Sequence, residues 1–215
     1  METVAVLPIK TFARAKDRLA EAVGAPDRQE LAEAMANDVL EALFAVPELD
    51  GVVAVTAEPR AAAAAREAGA EVVPDPREVG QSAAATLGIE AALQRGASRA
   101  LLVPGDCPAL LPEEVSALLA AREPVVIVPD RHGAGTNALL LSPPDVIAPS
   151  FGDGSFARHA ARGRHVGVAV AEVPSLGLDV DTPGDLAALR AALMIRRGGA
   201  ARTRALLERM LPAPA

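Results

Sequence analysis

Apolar positions along this chain fall into two alternating rhythms. Short runs of Val, Ile, Leu and Ala recur at 4–9, 51–56, 71–73, 124–128, 138–141 and 166–173, with one more opening at Arg99 and stopping at Pro104-Gly105. Between them lie longer stretches in which apolar residues return every three to four positions, best seen at Leu31, Met35, Val39, Leu43 and Val46. Short runs bounded by turn residues predict buried strands, and the longer period predicts helices at 13–20, 26–46, 59–68, 81–95, 112–122, 156–162 and 184–194. Punctuation agrees with this reading: Pro26 and Pro112 suit first helical turns, Gly69 and Gly96 suit helix ends, and Thr182-Pro183 reads as a cap and first turn. Strand and helix alternating in this way predict an α/β fold with a mostly parallel central sheet, right-handed crossovers and flanking helices. No internal repeat or long linker divides the chain, so 1–196 reads as one domain, with 197–215 a peripheral helix and frayed tail.

Composition narrows the class. At 215 residues, 51% hydrophobic and 23% charged, the chain has the makings of a well-buried globule and not of a disordered segment. Every apolar run is broken by Pro, Gly or charge before it reaches membrane-spanning length, and METVAVLPIK lacks a basic region ahead of its apolar stretch, so it reads as a first strand of a cytoplasmic protein. A net charge of −7, with four Phe and no Trp or Tyr, argues against a nucleic-acid surface. The single Cys107 excludes an internal disulfide and a cysteine-rich zinc site, and reads as a small buried thiol. His132, His159 and His165 show no metal-ligand spacing.

Against that acidic background a few polar positions stand out. The run ending at Pro104-Gly105 delivers Asp106 to the carboxyl end of a buried strand, which in open α/β sheets is where ligands sit. Lys10, Arg14, Lys16 and Arg18 follow the first strand closely; on a helix over 13–20, Lys10, Arg14 and Arg18 would share one side and mark an anionic ligand. No Gly-x-x-x-x-Gly-Lys-Ser/Thr is present, so the phosphate-loop route is closed. Gln81 and Ser82 open a helix with an amide and a hydroxyl that could read a base or ribose, although capping alone also explains Ser82. Gly133 and Gly135 would let backbone N–H groups approach an anion beside Arg131 and Thr136, unless the stretch is a plain hairpin turn. Gly152, Gly154 and Ser155 feed a short helix and form a candidate phosphate or carboxylate seat. Asp106 and Asp179, from distant strand ends, could share one Mg²⁺, which takes few protein acids and completes its shell with phosphates and water; a helix-dipole role suits Asp181 better than Asp179.

Taken in order, Pro-Ile-Lys with Ala-Lys-Asp-Arg-Leu, Pro-Gly-Asp-Cys-Pro-Ala-Leu, Gly-Ala-Gly-Thr-Asn, Phe-Gly-Asp-Gly-Ser-Phe-Ala-Arg-His and Gly-Leu-Asp-Val-Asp-Thr-Pro-Gly-Asp-Leu resemble the guanylyltransferases of coenzyme F420 biosynthesis, from about Val4 to Leu193. The resemblance implies a Rossmann-like nucleotidyltransferase fold of the nucleotide-diphospho-sugar transferase type. It also implies Mg²⁺-dependent transfer of GMP from GTP to 2-phospho-L-lactate or phosphoenolpyruvate, with release of pyrophosphate. By position, Asp106 and Asp179 resemble the metal-binding acids, Thr136, Gly152 and Ser155 the acceptor-binding set, and Lys10 and Lys16 the residues that face the GTP phosphates. Arg14 and Arg18 would add charge there. The acceptor phosphate is already ionised near neutral pH, so such a reaction needs no protein general base. Two other readings stand beside this one: a related molybdopterin or sugar-phosphate nucleotidyltransferase, whose usual Gly-rich first loop is missing from 7–19, and a non-catalytic GTP-binding module. A homodimer and hand-over of a labile product to the next transferase of the pathway remain open on sequence grounds.

Overall fold

The computed structural model describes residues 2–20, 23–196 and 198–210. Seven strands are laid down in the chain order β1 (Thr3–Ile9), β2 (Gly51–Thr56), β3 (Glu71–Pro74), β4 (Arg99–Leu102), β5 (Val125–Pro129), β6 (Thr136–Leu141) and β7 (Val168–Val170). They form one sheet in the spatial order β3-β2-β1-β4-β6-β5-β7. Among the described residues only β6 runs antiparallel, pairing with β4 on one side and β5 on the other. The sheet is therefore mixed and mostly parallel, and β5 and β6 are joined as a hairpin.

Among the described residues seven α-helices accompany it: α1 (Ala25–Phe44), α2 (Pro59–Glu67), α3 (Gln81–Gln94), α4 (Pro112–Leu119), α5 (Ser155–Gly163), α6 (Pro183–Ile195) and α7 (Ala201–Met210). Strand alternation sorts the core into two layers. Ala5 and Leu7 pack with α1, α2 and α4, while Val4 and Val6 face α3 on the other side. A Cβ at Gly88 would run into Val6, so this glycine lets α3 lie directly on β1. A third cluster, with Leu31 and Met35 from α1, Leu186 and Leu189 from α6 and Leu206 and Leu207 from α7, binds the end of the chain to the body. The frayed tail expected at 211–215 lies outside the described residues. Among the described residues no helix is long and apolar enough to cross a membrane.

One predicted helix does not form. Over 13–20 the chain makes two 3₁₀ turns, Phe12–Arg14 and Asp17–Leu19, separated by Lys16 at φ 62. A residue in the left-handed region cannot continue a right-handed helix, so Lys10, Arg14 and Arg18 do not form a helical stripe. The segment is instead pinned from outside: Glu58 accepts from Phe12 N (3.1 Å) and Glu78 from Thr11 N (2.8 Å).

Candidate active site

At the carboxyl ends of β1 and β4 the pinned segment, the start of α3 and the Pro104–Asp106 turn enclose a cavity of about 360 Å³, large enough for a small ligand. Its floor is apolar, with Pro8, Ile9, Phe12, Met35 and Ala36. Its rim carries Lys10, Arg14, Lys16, Asp75, Glu78, Gln81, Asp106 and Asp181.

The charged centre of this rim is Lys16. Its ammonium lies 2.6 Å from Asp106 Oδ2 and 3.1 Å from Asp181 Oδ1, with only 7% of the side chain exposed. Burial alone would lower its pKa, but the Asp106 and Asp181 carboxylates outweigh burial and raise it. Lys16 is therefore a permanent cation. The left-handed backbone that carries it is a strained conformation for a side chain, and Glu78, at φ 42, is a second strained residue on the same rim.

The two acid-bearing segments are tied together through the backbone. Val180 N donates to Asp106 O (3.2 Å), and Val180 is itself buried, leaving Asp179 and Asp181 partly exposed on either side of it. Asp179 Oδ1 accepts from Asn137 Nδ2 (2.9 Å), which also donates to Leu176 O (2.6 Å). Burial, with Asp106, Asp181 and Asp185 nearby, holds the Asp179 pKa above the usual carboxylate range despite the Asn137 bond.

Helix capping falls to Asp185, not to Asp181. Asp185 Oδ2 accepts from Thr182 N (2.7 Å), Thr182 Oγ1 caps Asp185 N in return, and Asp185 also pairs with Arg131. The Asp181 side chain is left to face Lys16.

Among the described residues no three His, Cys, Asp or Glu side chains form a ready-made metal cage. The donor chemistry nevertheless suits a small hard cation that also takes phosphate oxygens. Asp106, Asp179 and Asp181 each engage one oxygen, and among the described residues no hydrogen bond reaches the other.

The remaining candidates divide. Lys10 and Arg14 are exposed at the cavity, Arg14 lying 3.6 Å from Glu78. Arg18 is exposed and does not line it. Gln81 lines the cavity, whereas Ser82 Oγ accepts from Phe151 N (2.8 Å) and so serves the neighbouring loop.

In the glycine-rich loop over 130–135 the N–H groups of His132, Gly133, Ala134 and Gly135 are already engaged. Asp130 already collects those of His132, Ala134 and Gly135 at 2.9–3.1 Å, so the nest holds an acid of its own chain within the hairpin. At the start of α5 the N–H groups of Ser155 and Phe156 donate to Gly152 O and Ala134 O, and Gly152 and Gly154 adopt positive φ. Thr136 and Ser155 are both buried here, and Thr136 Oγ1 meets His159 Nδ1 at 3.0 Å. These residues do not line the Lys16 cavity.

His159 is fully buried, and its Nε2 accepts from Ser150 N (2.8 Å), so the proton sits on Nδ1 and is donated to Thr136. Burial, with Arg162 and Arg158 nearby, pushes its pKa down to about 4. Arg158 fastens the loop beside it, donating to the carbonyls of Ser150 and Phe151. Cys107 is buried, its thiol pushed well up by desolvation and turned toward Leu176 O. It is no nucleophile.

The contacts that sequence reasoning missed are those of Asn137, Glu78 and Asp75. Asn137 lay inside a recognised motif, while the two acids lay in a loop whose spacing carries no signal.

Residues 3–210 match the family described as Guanylyl transferase CofC like. The phosphoenolpyruvate guanylyltransferase of Conexibacter woesei is 49% identical over 217 residues, covering 98% of this chain and 97% of that protein. Its counterpart in Sphaerobacter thermophilus is 40% identical over 190 residues, covering 86% and 91%. Among solved structures, a Methanothermobacter nucleotidyl transferase superposes with a TM-score of 0.66 at 20% identity, covering 90% of this chain and 98% of that one. The 4-diphosphocytidyl-2C-methyl-D-erythritol synthase of Anaerococcus prevotii gives 0.62 at 13% identity, covering 90% and 96%. At such identities the structures speak for the fold alone, which is that of the nucleotidyltransferases. The sequence matches run nearly the whole length of the chain, and on that ground it belongs to the CofC-like guanylyl transferase family.

Proposed function

We propose that this chain transfers GMP from GTP to phosphoenolpyruvate, releasing pyrophosphate, as the guanylylation step of coenzyme F420 synthesis. The observation that carries the reading is Lys16 between Asp106 and Asp181 at the mouth of the cavity, in a chain with full-length relatives named for that reaction. In the reaction a phosphate oxygen of the acceptor attacks the α-phosphorus of GTP, a new P–O–P bond forms, and the bond to the pyrophosphate leaving group breaks. The attacking oxygen is already ionised, which fits a cavity lined, among the described residues, by no histidine.

Lys10 and Lys16 are the groups that neutralise the triphosphate, and Arg14 adds charge at the rim. Asp106 and Asp179, joined by Asp181, are the residues that would hold Mg²⁺. When bound, the ion supplies charge neutralisation on the phosphate oxygens and helps fix in-line geometry. Thr136, at the start of β6, and Gly152 and Ser155, before and at the start of α5, all outside the Lys16 cavity, are the proposed acceptor seat. Phosphoenolpyruvate is preferred over 2-phospho-L-lactate because the matched relatives are named for it. The product is activated and labile, so we place the next transferase of the pathway as its direct recipient.

The test is pyrophosphate release from GTP and Mg²⁺ with phosphoenolpyruvate, 2-phospho-L-lactate and 3-phosphoglycerate supplied separately. Release is expected with phosphoenolpyruvate. Release with phospholactate alone would reassign the acceptor, and binding of GTP without release under any condition would leave a binding module in its place.

A further inference from the structure

Resting on that functional reading, we infer that Asp75 is the residue that selects guanine, by accepting the N1–H and N2–H donors of the base on its carboxylate. The cavity runs along the carboxyl edge of β3-β2-β1-β4, and its two ends differ in chemistry. Lys16, Asp106 and Asp181 occupy the β1 and β4 end. Asp75 directly follows β3, which stands about 10 Å from β1 and about 14 Å from β4 by two and three strand spacings. That separation is of the order of the reach from the base edge of a nucleoside triphosphate to its terminal phosphate. With the phosphates at the lysines, the base falls at the end where Asp75, Glu78, Gly80 and Gln81 line the wall.

Of the two acids there, Glu78 is already engaged. Its Oε1 accepts from Thr11 N (2.8 Å) and its Oε2 faces Arg14 (3.6 Å). Asp75 is held differently. It is 7% exposed, its own N–H donates to Thr56 O (3.2 Å), and its Oδ1 accepts from Glu78 N (3.2 Å). Among the described residues no hydrogen bond reaches Oδ2. A buried carboxylate lining the cavity, oriented by one oxygen and unengaged at the other, is built to accept from a ligand.

Among the common bases, guanine presents two adjacent donors on one edge. Adenine presents an acceptor where guanine has N1–H, and would leave the carboxylate facing a lone pair. Such a mismatch at a buried polar group is the strong form of discrimination, unlike a change of one methylene.

The test is Asp75→Asn, assayed with GTP, ITP and XTP. The substituted side chain keeps an oxygen for Glu78 N and presents an amide N–H₂ where Oδ2 was, which matches the C2 carbonyl of xanthine instead of the amino group of guanine. We expect kcat/KM for GTP to fall by roughly 10²–10³-fold and that for XTP to rise at least roughly tenfold. KM for phosphoenolpyruvate should stay within about twofold, because Asp75 lies at the far end of the cavity from the reacting phosphorus. Nucleotide Kd values measured without acceptor should show the same reversal. A folded variant that retains the wild-type order of GTP over XTP overturns the inference.

Should the variant not fold, the wild-type protein decides. It should bind GTP roughly tenfold more tightly than ITP, which lacks the 2-amino donor, and more tightly still than XTP; equal affinities would overturn the assignment. Failure of the functional reading looks different: GTP, ITP and XTP would then all be bound without turnover, or none bound at all.

Discussion

Two carboxylates in this molecule, one buried and one partly exposed, sit beside cations and do opposite things. At the seam between α1 and α7, Asp38 has 1% of its side chain exposed and both oxygens engaged. Oδ1 accepts from Arg202 N (3.1 Å) with the Arg202 guanidinium at 3.5 Å, and Oδ2 accepts from Thr203 N (2.8 Å). At the cavity, Asp106 has 28% of its side chain exposed and, among the described residues, its carboxylate bonds to Lys16 alone through one oxygen, Lys16 itself standing on a left-handed backbone. An acid with every acceptor occupied caps a helix and holds the fold. An acid with one oxygen unengaged can take up a further partner, which is what ligand binding requires. Satisfaction of the second oxygen, more than burial, separates structural from functional acids here.

The largest effect that would break this comparison is on turnover. Asp106→Asn should reduce pyrophosphate release by about 10³-fold or more, on the order of 4 kcal/mol in transition-state stabilisation, while the melting temperature moves only a few degrees because the amide still accepts from Lys16. Full activity in that variant would remove Asp106 from the chemistry.

His159 extends the comparison to a neutral group that is fully engaged. Its folded pKa, about 4, lies below the unfolded value of 6.5, so between those values the unfolded chain binds more protons. Its stabilisation is complete above about pH 6.5 and is lost as pH falls toward 4, with an upper value of about 3 kcal/mol. Chemical denaturation across that window should show the loss, and His159→Gln should flatten it.

Next in size, Asp38→Ala should lower unfolding stability by about 2 kcal/mol, since it orphans two N–H groups at the start of α7, yet leave kcat within about twofold. The smallest effect has the most telling sign. The raised pKa of Asp179 means that its ionised form opposes folding at neutral pH, so Asp179→Asn should raise the melting temperature while lowering activity. A fall in both would make Asp179 a structural acid like Asp38.

Much of this was legible in the sequence, for identifiable reasons. The parallel core, α1 and the Thr182-Pro183 cap follow from local period and capping chemistry, which a single sequence carries. Asp106 and Gln81 were singled out because strand ends and helix starts face the crevice, whereas the role of Lys16 rested on the family resemblance and not on its spacing. The 13–20 segment misled because its charges sit at helical spacing, while tertiary anchors, Glu58 on Phe12 N and Glu78 on Thr11 N, set its backbone. The 130–135 loop misled for a related reason. Gly133 and Gly135 do shape a nest, but Asp130 fills it from within the loop. The distinct work of Asp179, Asp181 and Asp185 could not be sorted by spacing alone, because it depends on Asn137, Lys16 and Arg131 arriving from elsewhere in the chain.

The most direct test of the central claim follows [α-³²P]GTP with phosphoenolpyruvate and Mg²⁺. Label should pass from GTP into a new species that also contains the enolpyruvyl group, with one pyrophosphate released for each. Label converted to GMP or GDP equally well without phosphoenolpyruvate, or left in GTP that is bound but never consumed, would contradict it.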